Sequence, residues 1–349
     1  MSPNDPPRAE LALALPEPLR SLLAEISVLI AQISAHMSSV SPGEVQNVLA
    51  AHRQTFYRTM DAFGVGIIHF LAEDPPPDQI QAVRERITAQ IRKWSSTSPL
   101  LQHSLRKPRG QSSDPELVKA LLRERPAGAD IAALVFNDYY RYSVGGMAFR
   151  DRLEMLVQAV LQTVARCAAA GVNPVRVLSL HVSGAGEILL LAQDETFAEI
   201  AEVTCIDNRP AALREVSSQL NGRLEKHFSC VHADALQYAE RPDRSHHHYH
   251  VIYGVSVFEH LGMSSVSLLA RNCHTLLASG GILLVGSVTP SVPAGERILR
   301  AWLTDWDLQY RDEADWRHVF ARSGFDATAL RFEYERYRAN VLIHAERDR

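Results

Sequence analysis

From Val175 onward, the chain alternates short apolar runs rich in Val, Ile and Leu with segments of helical periodicity. Such runs are typical of buried parallel strands, and the helical segments between them are the crossover connections that parallel strands require. The pattern predicts a doubly wound α/β domain. The strand-like runs are VRVLSL, AEVTCID, HFSCVHAD, HVIYGV and GGILLVGSV.

The C-terminal segment FDATALRFEYERYRANVLIHAER has a different pattern. Two strand-like runs flank a polar centre and no helical segment separates them, so we expect an antiparallel hairpin at the end of the sheet. The predicted fold class is therefore α/β, with a doubly wound, mostly parallel Rossmann-like sheet and a C-terminal antiparallel hairpin. An α-helical N-terminal domain is expected to precede it.

The first third of the chain is helical in pattern. Apolar residues recur at helical spacing from Leu19 to Ile33, and a second helix is expected over about residues 42–71. We expect three regions: a helical N-terminal domain over residues 1–125, a helical connector over 126–172, and the α/β domain over 173–349.

Composition and charge exclude several classes of protein. The net charge of -4 argues against a general nucleic-acid binder, which needs a basic face to meet phosphates. The 4 cysteines form no C-x-x-C pair, so the sequence predicts neither a zinc knuckle nor a redox dithiol, and we expect no metal site. The N-terminus has no basic leader, and no stretch approaches the roughly 20 apolar residues of a membrane span. We expect a cytoplasmic protein without a membrane span.

The first strand–turn–helix, VLSLHVSGAGEIL, is expected at the carboxyl edge of the sheet, where doubly wound folds bind ligands. Its turn needs small residues so that the backbone can approach a ligand, and Gly184 and Gly186 meet that need. His181 and Ser183 stand where such turns usually carry glycine. Leu189 occupies the third glycine position of the dinucleotide fingerprint, which argues against a nicotinamide cofactor.

Carboxylates follow the first three strands at positions that suit an adenosine-containing ligand. Asp207 ends the second strand, where it can accept hydrogen bonds from both ribose hydroxyls, and Asp234 ends the third, near an adenine amino group. Glu187, in the first turn, is expected either to orient the ligand's amino group or to cap the helix N-terminus. The remaining predicted cofactor contacts are His181, Ser183, Asn208, Ala235 and Val255.

The missing third glycine and the C-terminal hairpin both favour the methyltransferase variant of this fold. The domain resembles the class I S-adenosylmethionine-dependent methyltransferases, which implies S-adenosylmethionine as the cofactor. A narrower resemblance is to bacterial methyltransferases of 3-hydroxypalmitic acid methyl ester biosynthesis, from about Ser98 to the C-terminus; it implies helices that cover the active site. The segments that carry it are SPLLQHSLRKPRG, FNDYYRYSVGGMAFRDR, VRVLSLHVSGAGEI, VTCIDNRPAAL, VIYGVSVFEHL and WDLQYRDEADWR.

The chain departs from that family at two places. The family's first turn resembles S-L-A-C-G-P-A-R-E, whereas Ser179 to Glu187 reads S-L-H-V-S-G-A-G-E. A shift of one residue makes Gly184 and Gly186 the turn that approaches the cofactor. The K-P-R-G-Y loop keeps Arg109 but has Gln111 in place of the tyrosine. We expect a remodelled site that still binds the cofactor.

Candidate catalytic residues are His260, Tyr140 and Arg311. His260 follows the fourth strand, where it suits a base or a donor to substrate, and a structural role suits it equally well. Tyr140 lies in a tyrosine cluster for which interfacial packing is the alternative. Arg311 follows the fifth strand and suits an anion. The predicted substrate contacts are Arg109, Tyr139, Tyr142, Trp306 and Tyr310.

The resemblance implies methyl transfer to a small-molecule or acyl substrate, by O-methylation of a carboxylate or hydroxyl in bacterial signal or secondary-metabolite biosynthesis. A carboxylate is ionised at pH 7 and needs no base, whereas a hydroxyl makes a base such as His260 useful. Two alternatives stay open. One is a methyltransferase-fold protein that no longer transfers methyl groups, and the other is a helical interaction module that forms a homodimer through the N-terminal helices.

Overall fold

The structure is a computed structural model of the 349-residue chain. It describes residues 15–94, 96–98, 130–182, 186–220, 227–240, 248–304 and 308–348. These residues form two compact units, one helical and one α/β, and each is described by itself. The predictions for Arg109, Ser183, Gly184 and Trp306 fall outside the described residues.

The helices and strands are named in chain order. Helices α1 to α5 are Glu17–Ser38, Val45–Ala72, Pro77–Trp94, Ile131–Tyr142 and Val144–Ala169. They are followed by β1 (Val175–Ser179), α6 (Gly186–Leu191), α7 (Glu195–Ile200), β2 (Ala201–Asp207), α8 (Pro210–Leu220), β3 (Phe228–His232), α9 (Ala235–Glu240) and β4 (Tyr249–Gly254). The last are α10 (Met263–Leu276), β5 (Leu277–Val288), α11 (Ala294–Thr304), α12 (Glu313–Ala321), β6 (Arg331–Tyr334) and β7 (Asn340–Glu346). Short 3-10 helices span Pro42–Glu44 and Phe258–His260.

The helical unit contains α1 to α4 and, in addition, α11, which follows β5 in the sequence. Helix α11 contributes Leu299, Trp302 and Leu303 to the core of this unit, together with the buried stripe of α1. Helix α5, by contrast, belongs to the α/β unit. The units therefore divide the expected connector between α4 and α5, and they place α11 outside the α/β domain that the sequence suggests. Helix α11 belongs to the helical unit because it packs on α2.

Helices α2 and α11 cross at two glycines. A Cβ atom on Gly64 would lie 2.2 Å from the carbonyl oxygen of Gly295, and one on Gly295 would lie 2.3 Å from the carbonyl oxygen of Asp61. Both distances are far below any van der Waals contact, so the two backbones approach this closely only because neither residue has a side chain.

Replacement of Gly64 by alanine is expected to lower the free energy of unfolding by about 1–3 kcal/mol, because backbone must move to admit the methyl group. Gly66→Ala is the matched control, since its Cβ would meet the flexible end of Leu19 at 3.0 Å. That variant gains helix propensity of about 1 kcal/mol and should be neutral or stabilising. Thermal denaturation of the two variants measures the difference, and equal melting temperatures would contradict the packing argument.

Helix α1 meets the length and apolarity requirements of a membrane span, the one helix among the described residues that does so. Composition alone therefore does not support the expectation that no span exists. Five of its residues, Leu19, Leu23, Ile26, Ile33 and Met37, are buried, and they belong to the core of the helical unit. The exposed side of the helix includes Val28.

The α/β unit contains a seven-stranded sheet in the order β3-β2-β1-β4-β5-β7-β6. Strands β1 to β5 pair in parallel, and β7 runs antiparallel between β5 and β6. The prediction of a doubly wound sheet that ends in an antiparallel hairpin is confirmed. Buried apolar side chains cover both faces, which explains why the parallel strands read as continuous apolar runs.

The order of strands reverses at β1, because the chain proceeds outward to β2 and β3 and then returns to β4 on the other side. Doubly wound sheets bind ligands at the carboxyl ends of the strands beside such a point. The parallel register pairs Ser179 at the end of β1 with Cys205 of β2. Continued by two residues, this register sets His181 beside Asp207.

Candidate cofactor site

Asp207 lies at the carboxyl end of β2, and its carboxylate is fully enclosed by donors. Oδ1 accepts from the backbone N–H of Arg209 at 2.8 Å and from its Nε at 3.1 Å. Oδ2 accepts from the backbone N–H of Val182 at 3.2 Å and from Arg209 Nη2 at 3.3 Å, and it lies 3.0 Å from His181 Nδ1. Burial alone would raise the pKa of Asp207, but His181 and Arg209 outweigh it and hold that pKa well below its usual range. The carboxylate is therefore ionised and saturated.

Glu187 begins helix α6 together with Gly186 and lies inside the protein rather than at a solvated helix end. The residue is only 4% exposed, and Oε1 has no hydrogen-bond partner among the residues that the structure describes. Burial raises the pKa of Glu187 to about 8, Asp207 adds to the rise, and its own backbone N–H and Arg152 reduce it. A buried carboxyl with an unfilled position calls for an explanation, and a bound ligand is one.

Arg152 of α5 contacts the segment that follows β4. Its Nη1 lies 3.1 Å from Oε1 of Glu259, and Nη2 lies 3.4 Å from the hydroxyl of Ser256. Both side chains of the ion pair are 3% exposed, while Arg152 Nε and Glu259 Oε2 have no hydrogen-bond partner within the described part of the chain. A Cβ at Gly286 would lie 3.2 Å from Arg152 Cδ, so the glycine of β5 leaves room for this side chain. Arg152 also interacts electrostatically with Glu187.

The other predicted cofactor contacts lie at the same edge of the sheet. Asp234 follows β3, and its Oδ1 accepts from the backbone N–H groups of Leu236 and Gln237 at the start of α9. These two bonds make Asp234 a cap of α9 in the structure. Asn208 is exposed, Ala235 is half-buried and Val255 is buried.

His260 and Arg311 are linked through the segment that follows β4. His260 ends the 3-10 helix Phe258–His260, and its side chain is exposed. Arg311 is buried and donates to the carbonyl oxygens of Phe258 and Leu261, which hold that segment in place. This geometry favours a positioning function for Arg311 over the predicted binding of a substrate anion. Tyr310 packs beside a small apolar cluster that includes Val292.

Three of the predicted tyrosines, Tyr139, Tyr140 and Tyr142, lie on α4 of the helical unit. Tyr139 is buried against Phe56, and the buried hydroxyl of Tyr140 has no hydrogen-bond partner among the described residues. Burial raises the pKa of both phenols, so they stay protonated near neutral pH and can donate a hydrogen bond but not act as bases. Tyr142 lies 3.6 Å below the guanidinium of Arg53.

Sequence reasoning missed Arg152, Arg209 and Glu259. Arg209 lies two residues after the predicted ribose carboxylate, and this spacing alone was a usable signal. Arg152 and Glu259 are 107 residues apart and carry no local signal, because only the fold brings them together. Among the residues that the structure describes, no group of three or more His, Cys, Asp or Glu side chains is arranged to hold a metal ion.

Comparison with known families adds a sequence signature to this geometry. A family model described as a methyltransferase domain matches residues 183–283, which run from the first turn into β5. Comparison with curated proteins gives no match. The narrower resemblance to 3-hydroxypalmitic acid methyl ester biosynthesis therefore stays a prediction.

Comparison with solved structures concerns the fold. An exported-protein candidate from Bordetella parapertussis is 17% identical with a TM-score of 0.56, over 95% of this chain and 97% of that one. The carbon methyltransferase CurJ is 15% identical with a TM-score of 0.50, over 94% and 92%. Magnesium protoporphyrin IX methyltransferase from Synechocystis, solved with bound S-adenosylmethionine, is 16% identical with a TM-score of 0.41, over 59% and 84%. A cytoplasmic location stays a prediction.

The buried residues fit one end of S-adenosylmethionine directly. The unfilled Oε1 of Glu187 is complementary to an ammonium group and the unfilled Nε of Arg152 to a carboxylate, the two charges of the cofactor's amino-acid end. Asp207, the predicted ribose ligand, lies at the carboxyl end of β2, but its acceptors are taken by protein donors. The α/β unit has the class I methyltransferase fold and the sequence signature of a methyltransferase domain, and its cofactor is S-adenosylmethionine.

Proposed function

We propose that the protein is an S-adenosylmethionine-dependent methyltransferase that acts on a small-molecule or acyl substrate by O-methylation, with a carboxylate as the acceptor. The observation that supports cofactor use most directly is the buried Glu187–Arg152 arrangement, with unfilled hydrogen-bond positions of opposite sign. The choice of a bacterial acid as substrate follows from the family resemblance.

S-adenosylmethionine supplies an electrophilic methyl group on a sulfonium centre. Glu187 would hold the ammonium and Arg152 the carboxylate of its amino-acid end, which fixes the cofactor at the edge of the sheet. Transfer needs a nucleophile held in line and shielded from water, so positioning can supply much of the rate. Arg311 contributes by fixing the segment that presents His260.

Cofactor binding is the first expected result. At about 100 times its dissociation constant, S-adenosylmethionine should stabilise the fold by about 2.7 kcal/mol. S-adenosylhomocysteine should act similarly, because it keeps the adenosine and the amino-acid end. Thermal denaturation with each ligand measures the effect, and calorimetric titration gives the affinity. An unchanged melting temperature with both ligands at millimolar concentration would sink the proposal.

Substitution of His260 tests whether the methyl acceptor is a carboxylate or a hydroxyl. A general base typically contributes about 10²–10⁴-fold to a reaction that must remove a proton, whereas a carboxylate acceptor has no proton to lose. We expect His260→Gln to leave the rate within about threefold, with a product methyl ester that alkali hydrolyses. A large loss of rate, or an alkali-stable methyl ether, would assign the acceptor as a hydroxyl. Long-chain 3-hydroxy acids test both groups on one molecule.

One observation favours a second candidate, a methyltransferase-fold protein that no longer transfers methyl groups. The saturated Asp207 leaves a ribose without its usual acceptor. A correctly folded protein that binds neither S-adenosylmethionine nor S-adenosylhomocysteine would support this candidate.

A homodimer through the N-terminal helices stays a prediction, which light scattering at several concentrations would test.

A further inference from the structure

The side chains of His181 and Arg209 cover the carboxylate at the ribose end of the site. The Asp207 side chain is completely inaccessible, while those of His181 and Arg209 are 12% and 10% exposed. The two covering side chains therefore lie between the carboxylate and the solvent. We call this pair of side chains the ribose-site cap.

The cap is a closed set of contacts. A carboxylate has about four acceptor sites, and Asp207 is approached by five N–H groups. His181 Nε2 also lies 3.4 Å from Arg209 Nη2. With its proton on Nδ1 toward Asp207, His181 presents Nε2 as the acceptor for Arg209, so one tautomer satisfies both contacts.

Two of the five donors are backbone N–H groups, from Val182 and Arg209, and these leave room for a ligand. Two acceptor sites remain when the side chains of the cap are turned away, which matches the two hydroxyls of a ribose. The same two sites are filled when the cap is closed. Cap and ribose are thus alternatives for one set of lone pairs.

A small residue at position 181 has no group that reaches Asp207, so the histidine creates half of this cap. Arg209 would still reach the carboxylate without it. His181 is therefore the residue whose removal opens a site at the least cost to the fold, since Asp207 keeps its four other donors.

We propose that the ribose-site cap of His181 and Arg209 must leave Asp207 before an adenosine cofactor can bind, and that the cap thereby sets cofactor affinity. This inference rests on the proposed function, because it takes the ribose of S-adenosylmethionine as the competitor. A ligand that binds only the open form has its apparent affinity reduced by the open fraction. The intact chain should accordingly bind the cofactor less tightly than a variant without the cap.

The test compares the intact chain with His181→Ala and with Arg209→Met by calorimetric titration. S-adenosylhomocysteine should bind at least about tenfold more tightly to His181→Ala, the equivalent of one charge-assisted hydrogen bond that the ligand no longer displaces. His181→Asn retains a donor toward Asp207, so its affinity for S-adenosylhomocysteine should lie close to the weaker affinity of the intact chain. Arg176→Ala is the matched control, because it removes an arginine–carboxylate pair with Glu202 at the opposite end of β1 and β2.

Adenosine and 2′,3′-dideoxyadenosine separate this inference from the proposed function. The gain should appear with adenosine, which lacks the amino-acid end, and should vanish with the dideoxy compound, which lacks both hydroxyls. If His181→Ala binds adenosine more tightly but does not bind S-adenosylhomocysteine, the proposed function is contradicted while the inference about the ribose-site cap is supported. Unchanged or weaker binding of both ligands to His181→Ala and Arg209→Met, with circular dichroism showing folded protein, would overturn the cap.

Discussion

Replacement of Asp207 by alanine is expected to lower the free energy of unfolding of the α/β unit by about 3–5 kcal/mol, the usual cost of removing one partner from a buried ion pair. The change leaves the Arg209 guanidinium and the N–H of Val182 buried beside a void. From sequence alone, the same substitution is expected to affect mainly the cofactor, because a strand-end carboxylate reads as a ribose ligand. The hydrogen-bond donors around Asp207 show that its carboxylate also stabilises the fold.

Hydrogen exchange of the β1 and β2 amides measures this loss in the unit concerned. Asp207→Ala combined with Arg209→Met should recover part of it, since the second change removes the stranded charge. Asp151→Ala is the matched control: its partner Arg336 has a 65% exposed side chain, and surface pairs contribute about 0–1 kcal/mol. A loss at Asp207 no larger than that of the control would show that the carboxylate does not stabilise the edge of the sheet.

The lowered pKa of Asp207 makes its contribution to the free energy of unfolding depend on pH. The folded pKa lies below the unfolded value, so the contribution is present above the ordinary pKa of an aspartate and is lost as the pH falls through the folded value. The difference in stability between the intact chain and Asp207→Ala should therefore be constant near neutral pH and shrink in acid.

The strands could be predicted because they carry a local signal. Each parallel strand is buried on both faces, so VRVLSL and its counterparts are continuously apolar, and the C-terminal hairpin lacks a helix between its strands. The location of α11 could not be predicted in this way. Its amphipathic pattern predicts a helix but does not say which core it joins, and the decisive feature is a glycine pair 231 residues apart, Gly64 and Gly295.

The candidate site was predictable to the level of positions but not of contacts. Asp207 and Glu187 follow from strand ends and the first turn, which sequence patterns locate. The pairing of His181 with Asp207 depends on the register between β1 and β2, and a shift of one residue would separate them. Arg152 enters from a helix that precedes the sheet and meets Glu259 only after the sheet has formed.

Glu187 is expected to make the unliganded fold less stable as the pH rises from 5 to 8. Its folded pKa of about 8 lies above the ordinary glutamate value of 4.5, so the folded state favours the neutral carboxyl. The associated stability is complete below the unfolded pKa and is lost as the pH rises through the folded one. Relative to Glu187→Gln, which cannot ionise, the intact chain should lose about 3 kcal/mol between pH 5 and pH 8. Denaturation of both proteins at the two pH values measures this difference.

The same proton should leave when the cofactor binds. At pH 7 a carboxyl with a pKa of about 8 is mostly neutral, whereas an ammonium group beside it favours the carboxylate, so S-adenosylmethionine should release up to one proton per molecule bound. Titration calorimetry in buffers of different ionisation enthalpy counts that proton. S-adenosylhomocysteine, which keeps the ammonium, should release it too, while 5′-methylthioadenosine should not, and Glu187→Gln should release none with any ligand. Equal release with methylthioadenosine would place the ammonium elsewhere and return Glu187 to a purely structural function, because only contact with the amino-acid end can distinguish these ligands.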